Sequence, residues 1–172
     1  MKPILLIIIS ISLFITSCNN NDDSTTINTV NPSSTLYVEE QPFIPASNSE
    51  TDYNLTTSFS TANDLNYRAF YLKKNNGDFI HINLNYNTND VSGTYINELF
   101  VNGELYRVAT GGIQLGDVYR PFTGGYSMIV TDLGGNKFKL EFINVTAANI
   151  GGGASSIDIE GYFTAQFVEI SE

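Results

Sequence analysis

Asp78-Phe79-Ile80-His81-Ile82-Asn83-Leu84-Asn85-Tyr86 alternates apolar and polar residues without a break. Ile80, Ile82, Leu84 and Tyr86 share one face of an extended chain, while His81, Asn83 and Asn85 share the other. Side chains of a strand point to opposite faces in turn, so this period of two predicts a strand with one face in a core and one in water. Before it, Asn75-Asn76-Gly77 is a turn of residues that accept positive φ, and Tyr67 to Leu72 reads as the preceding strand.

The same pattern recurs outward in both directions. Thr94 to Val101 and Glu104 to Val108 flank Asn102-Gly103, a type I′ hairpin signal, because both central residues of that turn need positive φ. Tyr126 to Thr131 and Lys137 to Val145 flank Leu133-Gly134-Gly135-Asn136; Phe138, Leu140 and Phe142 set the inner face of the second strand. The last run alternates Ile157, Ile159, Gly161, Phe163, Ala165 and Phe167 with polar residues, and Gly161 marks a close neighbour or a bulge. Towards the N-terminus, Thr35 to Val38 and Leu55 to Phe59 read as short strands. Pro42 and Pro45 bracket an edge or loop segment, since proline donates nothing to a ladder.

No amphipathic helix of useful length follows residue 34. The expectation is an all-β domain, a single antiparallel β-sandwich or barrel of eight to nine strands, with a lipocalin-like barrel as one option.

Residues 110–125 stand apart. Thr110-Gly111-Gly112 opens them, Gly124-Gly125 closes them and Gly116 lies between. This is long for a connection inside a compact domain, and such loops often carry function, although a short strand around Ile113 to Tyr119 also fits. Tyr119, Arg120 and Phe122 are the candidate binding residues, suited to stacking on a sugar or anchoring a protein partner. The alternative is that Tyr119 and Phe122 plug the end of a barrel.

The N-terminus decides location. Lys2 precedes an apolar run from Ile4 to Ile15, too short for the ~20 residues of a membrane-spanning helix and suited to a signal peptide. Ile15-Thr16-Ser17-Cys18 follows, with the only cysteine in the chain. The pattern resembles the bacterial lipobox. That resemblance implies cleavage between Ser17 and Cys18 and a lipid on Cys18, which anchors the protein to a membrane. Each buried acyl CH₂ is worth ~0.8 kcal/mol, so two or more chains hold stably. The expected organisation is a signal peptide over 1–17, the lipidated Cys18 and a tether over 18–34, and a β-domain over 35–172.

Asn19 to Ser24 resembles the acidic stretch after the lipidated cysteine in Bacteroidota lipoproteins, which implies export to the cell surface; a plain flexible tether is the alternative. Asp23-Ser24-Thr25 resembles the short O-glycosylation acceptor of that phylum, with Ser24 as the acceptor. The tether, the Gly-rich hairpins and the final Ile159-Glu160-Gly161-Tyr162-Phe163 strand resemble small uncharacterised β-domains of such lipoproteins. That likeness implies a fold and no activity.

Composition excludes several classes. Loss of residues 1–17 leaves seven basic residues against eighteen acidic, a net charge of −11, which repels nucleic acid. With Cys18 lipidated, no thiol remains for disulfides or metal. His81 is the only histidine, so a conventional zinc site is not available, and no Gly-x-Ser-x-Gly elbow occurs. Carboxylate pairs for a glycan hydrolase exist at Glu98 with Glu104 and at Asp158 with Glu160. Asp132 and Asn136 in one turn, and Asn87 to Asp90 in another, are candidate calcium ligands, although Asn and Asp also serve turn geometry. No other cofactor is expected. The reading is a non-catalytic binding domain for a glycan, a small apolar ligand or an envelope protein. An accessory subunit of an envelope complex is the alternative, and a hydrolase comes third.

Overall fold

The computed structural model describes residues 34–44, 53–97, 107–148 and 155–171, and the strand backbone at 100–101 and 104–105. The expectations for Ser17, Cys18, Ser24 and the tether up to residue 33 lie outside the described residues, as do Asn102-Gly103 and the side chains of Glu98 and Glu104. Among the described residues there are fourteen strands and no helix. In chain order they are β1 (Thr35–Val38), β2 (Gln41–Ile44), β3 (Tyr53–Ala62), β4 (Leu65–Lys74), β5 (Phe79–Tyr86), β6 (Gly93–Ile96), β7 (Phe100–Val101), β8 (Glu104–Leu105), β9 (Val108–Leu115), β10 (Val118–Thr123), β11 (Ser127–Asp132), β12 (Lys137–Ala147), β13 (Ile157–Gln166) and β14 (Val168–Glu169).

β5 sits where the alternation places it. Ile80, Ile82 and Leu84 are buried, and the strand pairs antiparallel with β4 on one side and β9 on the other. From there the sheet extends in the order β14-β3-β4-β5-β9-β6-β11-β12-β13-β1-β2, with β10 bridging β9 to β12. Twelve strands share this sheet, and β7 and β8 form a separate ribbon. The all-β class holds, but eight to nine strands is too few. β9 and β12 each hold two neighbours along one edge. β9 meets β6 at Val108 and β10 from Gly112 to Leu115. β12 meets β11 from Phe138 to Ile143 and β10 at Thr146 and Ala147.

Two pairings are parallel, β6 with β9 and β14 with β3, so the sheet is mixed rather than purely antiparallel. The second one closes the architecture. β13 pairs with β12, breaks at Phe167, and continues as β14 alongside Thr56 and Thr57 of β3. The Phe167 amide donates to the Asn136 carbonyl (2.9 Å) at this corner. One continuous segment therefore pairs with β12 and β1 through β13 and with β3 through β14, which brings the two sides of the sheet together and makes it barrel-like. Beyond the reach of β1, the Ser34 side chain completes the edge of β13. Its Oγ accepts from the Thr164 amide (2.7 Å) and donates to the Thr164 carbonyl (3.2 Å). Ser34, drawn as the last residue of the tether, is thus fully buried.

The inner faces meet in one apolar cluster. At its centre Phe70, Phe138 and Phe167 pack edge to face, with centroids 5.0, 5.1 and 6.0 Å apart. Phe163 and Phe142 extend the group. Rings thus occupy this part of the interior, where a lipocalin-like barrel would keep a ligand.

The segment 110–125 is not a loop. It holds most of β9, a tight turn at Gly116-Asp117, and β10. Gly111 and Gly112 read in sequence as chain breakers, yet they lie within β9 and leave it bare on both faces. A Cβ on Gly111 would stand 2.8 Å from Phe122 Cε2, and one on Gly112 would stand 2.5 Å from Tyr119 Cζ. The Phe122 ring fills the inner face and the Tyr119 ring the outer.

Candidate functional site

Register lines up the outward residues of β3, β4, β5 and β9 in rows. Asn54, Lys73, Phe79 and Gln114 form the first row; Thr56, Tyr71, His81 and Gly112 form the second. The third is Ser58, Ala69, Asn83 and Thr110, and the fourth contains Ser60, Tyr67 and Asn85. Tyr119 stands opposite Gln114 and leans over the bare Gly112 backbone towards His81.

The result is a ring group on the outer surface. Tyr71 stacks on His81, with centroids 5.5 Å apart and planes at 20°. Tyr119 flanks His81 at 6.0 Å and Phe79 at 6.4 Å. Tyr71 and Tyr119 remain 39% and 41% exposed, so their faces are available to a ligand. Both imidazole nitrogens are engaged. Asn83 Nδ2 donates to Nε2 (3.0 Å), so the proton sits on Nδ1, which faces Tyr119 Oη at 3.3 Å. Burial pushes the His81 pKa below its ordinary 6.5. Burial, and then the neighbouring Tyr71, push the Tyr119 phenol up, so it stays a neutral hydrogen-bonding group.

His81 is therefore half-buried within a ring group rather than a plain exposed strand histidine. Its lowered pKa has a consequence for stability. Unfolded chains take up the proton first as pH falls through 6.5, while the native state resists until its own lower pKa is reached. Stability should fall with acidification across that window and level off below it. His81→Gln should flatten this slope in urea titrations run at a series of pH values, since no other histidine titrates there.

Two depressions open onto the strip. One of about 260 Å³ is lined by Asn54, Thr56, Tyr71, Lys73 and Phe79. Another of about 390 Å³ is lined by residues that include Ser58, Tyr67, Asn83, Asn85 and Thr110. Among the described residues no carboxylate lines either one, in a chain with eighteen acidic residues.

Strand alternation splits the trio singled out in β10. Tyr119 faces outward and belongs to the strip. Arg120 stands opposite the buried Ile113 on the inner face, and its Nε is buried without a hydrogen-bond partner. Phe122 is core, packed edge to face on Tyr126 and Phe142. Arg120 and Phe122 therefore face away from Tyr119, because neighbours on a strand face opposite ways. Tyr71, Phe79 and Tyr67 join the strip from outside that trio. Their signal was aromatic residues recurring on the outward positions of β4 and β5.

The two turns considered for calcium use their carboxylates for backbone geometry. Asp132 Oδ1 accepts the Gly134 amide (2.8 Å), and Asp90 Oδ1 accepts the Ser92 amide (2.8 Å). The second bond holds the Asp90 pKa below the usual carboxylate value. Asn136 adopts φ of +60° within the β11–β12 turn, the conformation Asn tolerates best after glycine. Among the described residues no three His, Cys, Asp or Glu side chains group to hold a metal ion. Asp158 and Glu160 share a depression of about 340 Å³ with Glu39 and Glu40, and all four are exposed.

No protein-family model, curated protein or solved structure matches the chain.

Proposed function

We propose that this chain is a lipid-anchored cell-envelope protein whose β-domain binds glycans, without catalysis, on the outer face of β4 and β5. The anchor rests on the lipobox Ile15 to Cys18. The binding reading rests on one observation, the Tyr71–His81–Tyr119 ring group on a strip free of carboxylates. A sugar ring offers a C–H face that packs on an aromatic face, and hydroxyl edges that need hydrogen-bond partners. The strip supplies rings beside Asn83, Asn85 and Thr110. The net charge of −11 left after loss of residues 1–17 repels anionic surfaces, while the strip itself carries only Lys73 and His81 among its outward titratable groups besides the tyrosines.

A small apolar ligand has less support, because phenylalanine rings fill the centre of the barrel. A hydrolase also has less, because Asp158 and Glu160 stand in water away from the ring group.

The test is affinity electrophoresis of the full chain in gels containing soluble polysaccharides, with Tyr71→Ala and Tyr119→Ala alongside. At least one polysaccharide should retard the wild type. Each variant should weaken binding about tenfold, ~1.4 kcal/mol, at nearly unchanged melting temperature. Retardation by none of the panel overturns the glycan reading and turns attention to an envelope protein partner. Binding lost only together with the fold would make these rings structural.

A further inference from the structure

We infer that the strip receives an extended oligosaccharide lying along β4 and β5, with Tyr67 as its far platform. This deepens the glycan reading and rests on it.

The geometry is linear. The rows follow one another at every second residue of the same two strands, and both depressions lie on them in line. From the Phe79 row to the Asn85 row is six residues of β5, ~20 Å at a rise of ~3.3 Å, the reach of roughly four pyranose units. The chemistry changes along this line. The first two rows present rings, Phe79, Tyr71 and His81, with Tyr119 leaning in. The third presents Ala69 and Asn83 beside a buried Ser58, a low floor with an amide above it. Asn83 commits Nδ2 to His81, which leaves its Oδ1 to accept from a hydroxyl. In the fourth row another ring, Tyr67, stands opposite Asn85.

Rings at both ends with a small polar floor between them suit a chain that stacks, crosses and stacks again. A pocket for a single sugar would instead surround one ring with walls, and both depressions here are open. Among the described residues no carboxylate lines either depression, which disfavours a cationic polymer and accepts a neutral one.

The experiment is calorimetric titration of the full chain with cello-, manno- and xylo-oligosaccharide ladders from one to six units. Wild type, Tyr67→Ala, Tyr67→Phe and Tyr71→Ala are compared. For the ladder that binds, affinity should rise about tenfold from dimer to tetramer and then level off. Tyr67→Ala should lower tetramer affinity about tenfold and leave dimer affinity unchanged, while Tyr67→Phe, which keeps the ring, should retain tetramer binding. Tyr71→Ala should weaken both lengths. Affinity independent of length, or equal losses for dimer and tetramer in Tyr67→Ala, overturns the extended strip and leaves the glycan reading standing. No binding by any ladder overturns both.

Discussion

Phe138→Ala is expected to cost about 3–5 kcal/mol of stability, the usual range for emptying a buried aromatic site. Phe138 is 1% exposed and touches two other rings of the central group, Phe70 and Phe167. Its face also carries the Arg68 guanidinium, whose carbon lies 5.2 Å from the ring centroid. Arg68 is an inward cation at this end of the barrel, held between Phe138 and Phe59 and 3.9 Å from Glu169. Truncating Phe138 removes ring packing and exposes one side of that cation's cradle together. Phe167 is the corner between β13 and β14, so the cavity would also loosen the closure of the barrel. Thermal unfolding should show a fall of about 10 °C or more. Leu133→Ala, at a site 50% exposed in the adjoining turn, should stay within about 0.5 kcal/mol of wild type. A Phe138→Ala protein that melts with the wild type would mean that the sheet does not enclose one shared core.

Gly111→Ala should cost about 3 kcal/mol, the upper part of the overpacking range, although it adds only one methyl group. The methyl would be driven against the His81 carbonyl oxygen on β5 as well as the Phe122 ring. A flexible side chain could step aside, but a carbonyl of the neighbouring strand moves only with the β5–β9 ladder. His81 belongs to the outer ring group, so the displacement should also disturb that group and weaken the proposed glycan binding, although Gly111 itself lies on the inner face. Gly125→Ala is the control, because a Cβ there meets nothing within 4 Å and its φ is not in the left-handed region. Urea denaturation of the two variants decides the matter. Equal stabilities would show that β9 has room to spare and that the glycine pair is not needed for ring approach.

Much of the framework was legible because the period of two survives wherever one face is buried and the other wet. β1, β5 and the β11–β12 hairpin fall where the pattern puts them, and Pro42 lies on β2 at the end of the strand order, where a missing amide matters least. The Asn63-Asp64 turn between β3 and β4, with φ of +53° and +63°, carries no glycine, and both strands run beyond the stretches Leu55 to Phe59 and Tyr67 to Leu72 that the pattern marks. The residues past Phe59 are exposed, so no apolar alternation marks them. Gly111-Gly112 misled in the opposite way. Glycine is needed both where a chain turns and where a ring must lie on a backbone, and one sequence cannot separate the two uses.

The candidate site was legible only in part. The sequence groups Tyr119 with Arg120 and Phe122, which face inward, whereas the rings beside it on the outer face are His81, 38 residues earlier in the chain, and Tyr71, 48 residues earlier and stacked on His81. The local pattern by itself determined the centres of the most regular strands, their apolar faces and several of the tight turns, because those depend on chain neighbours and on the alternation of side chains. Tertiary structure alone decided that β10 bridges β9 and β12, that β14 closes the barrel on β3 in parallel, and that the Tyr119 ring crosses a bare glycine to meet His81. Each of these depends on strand register between distant segments. Register is selected by the fit of the whole core, and no local period encodes it.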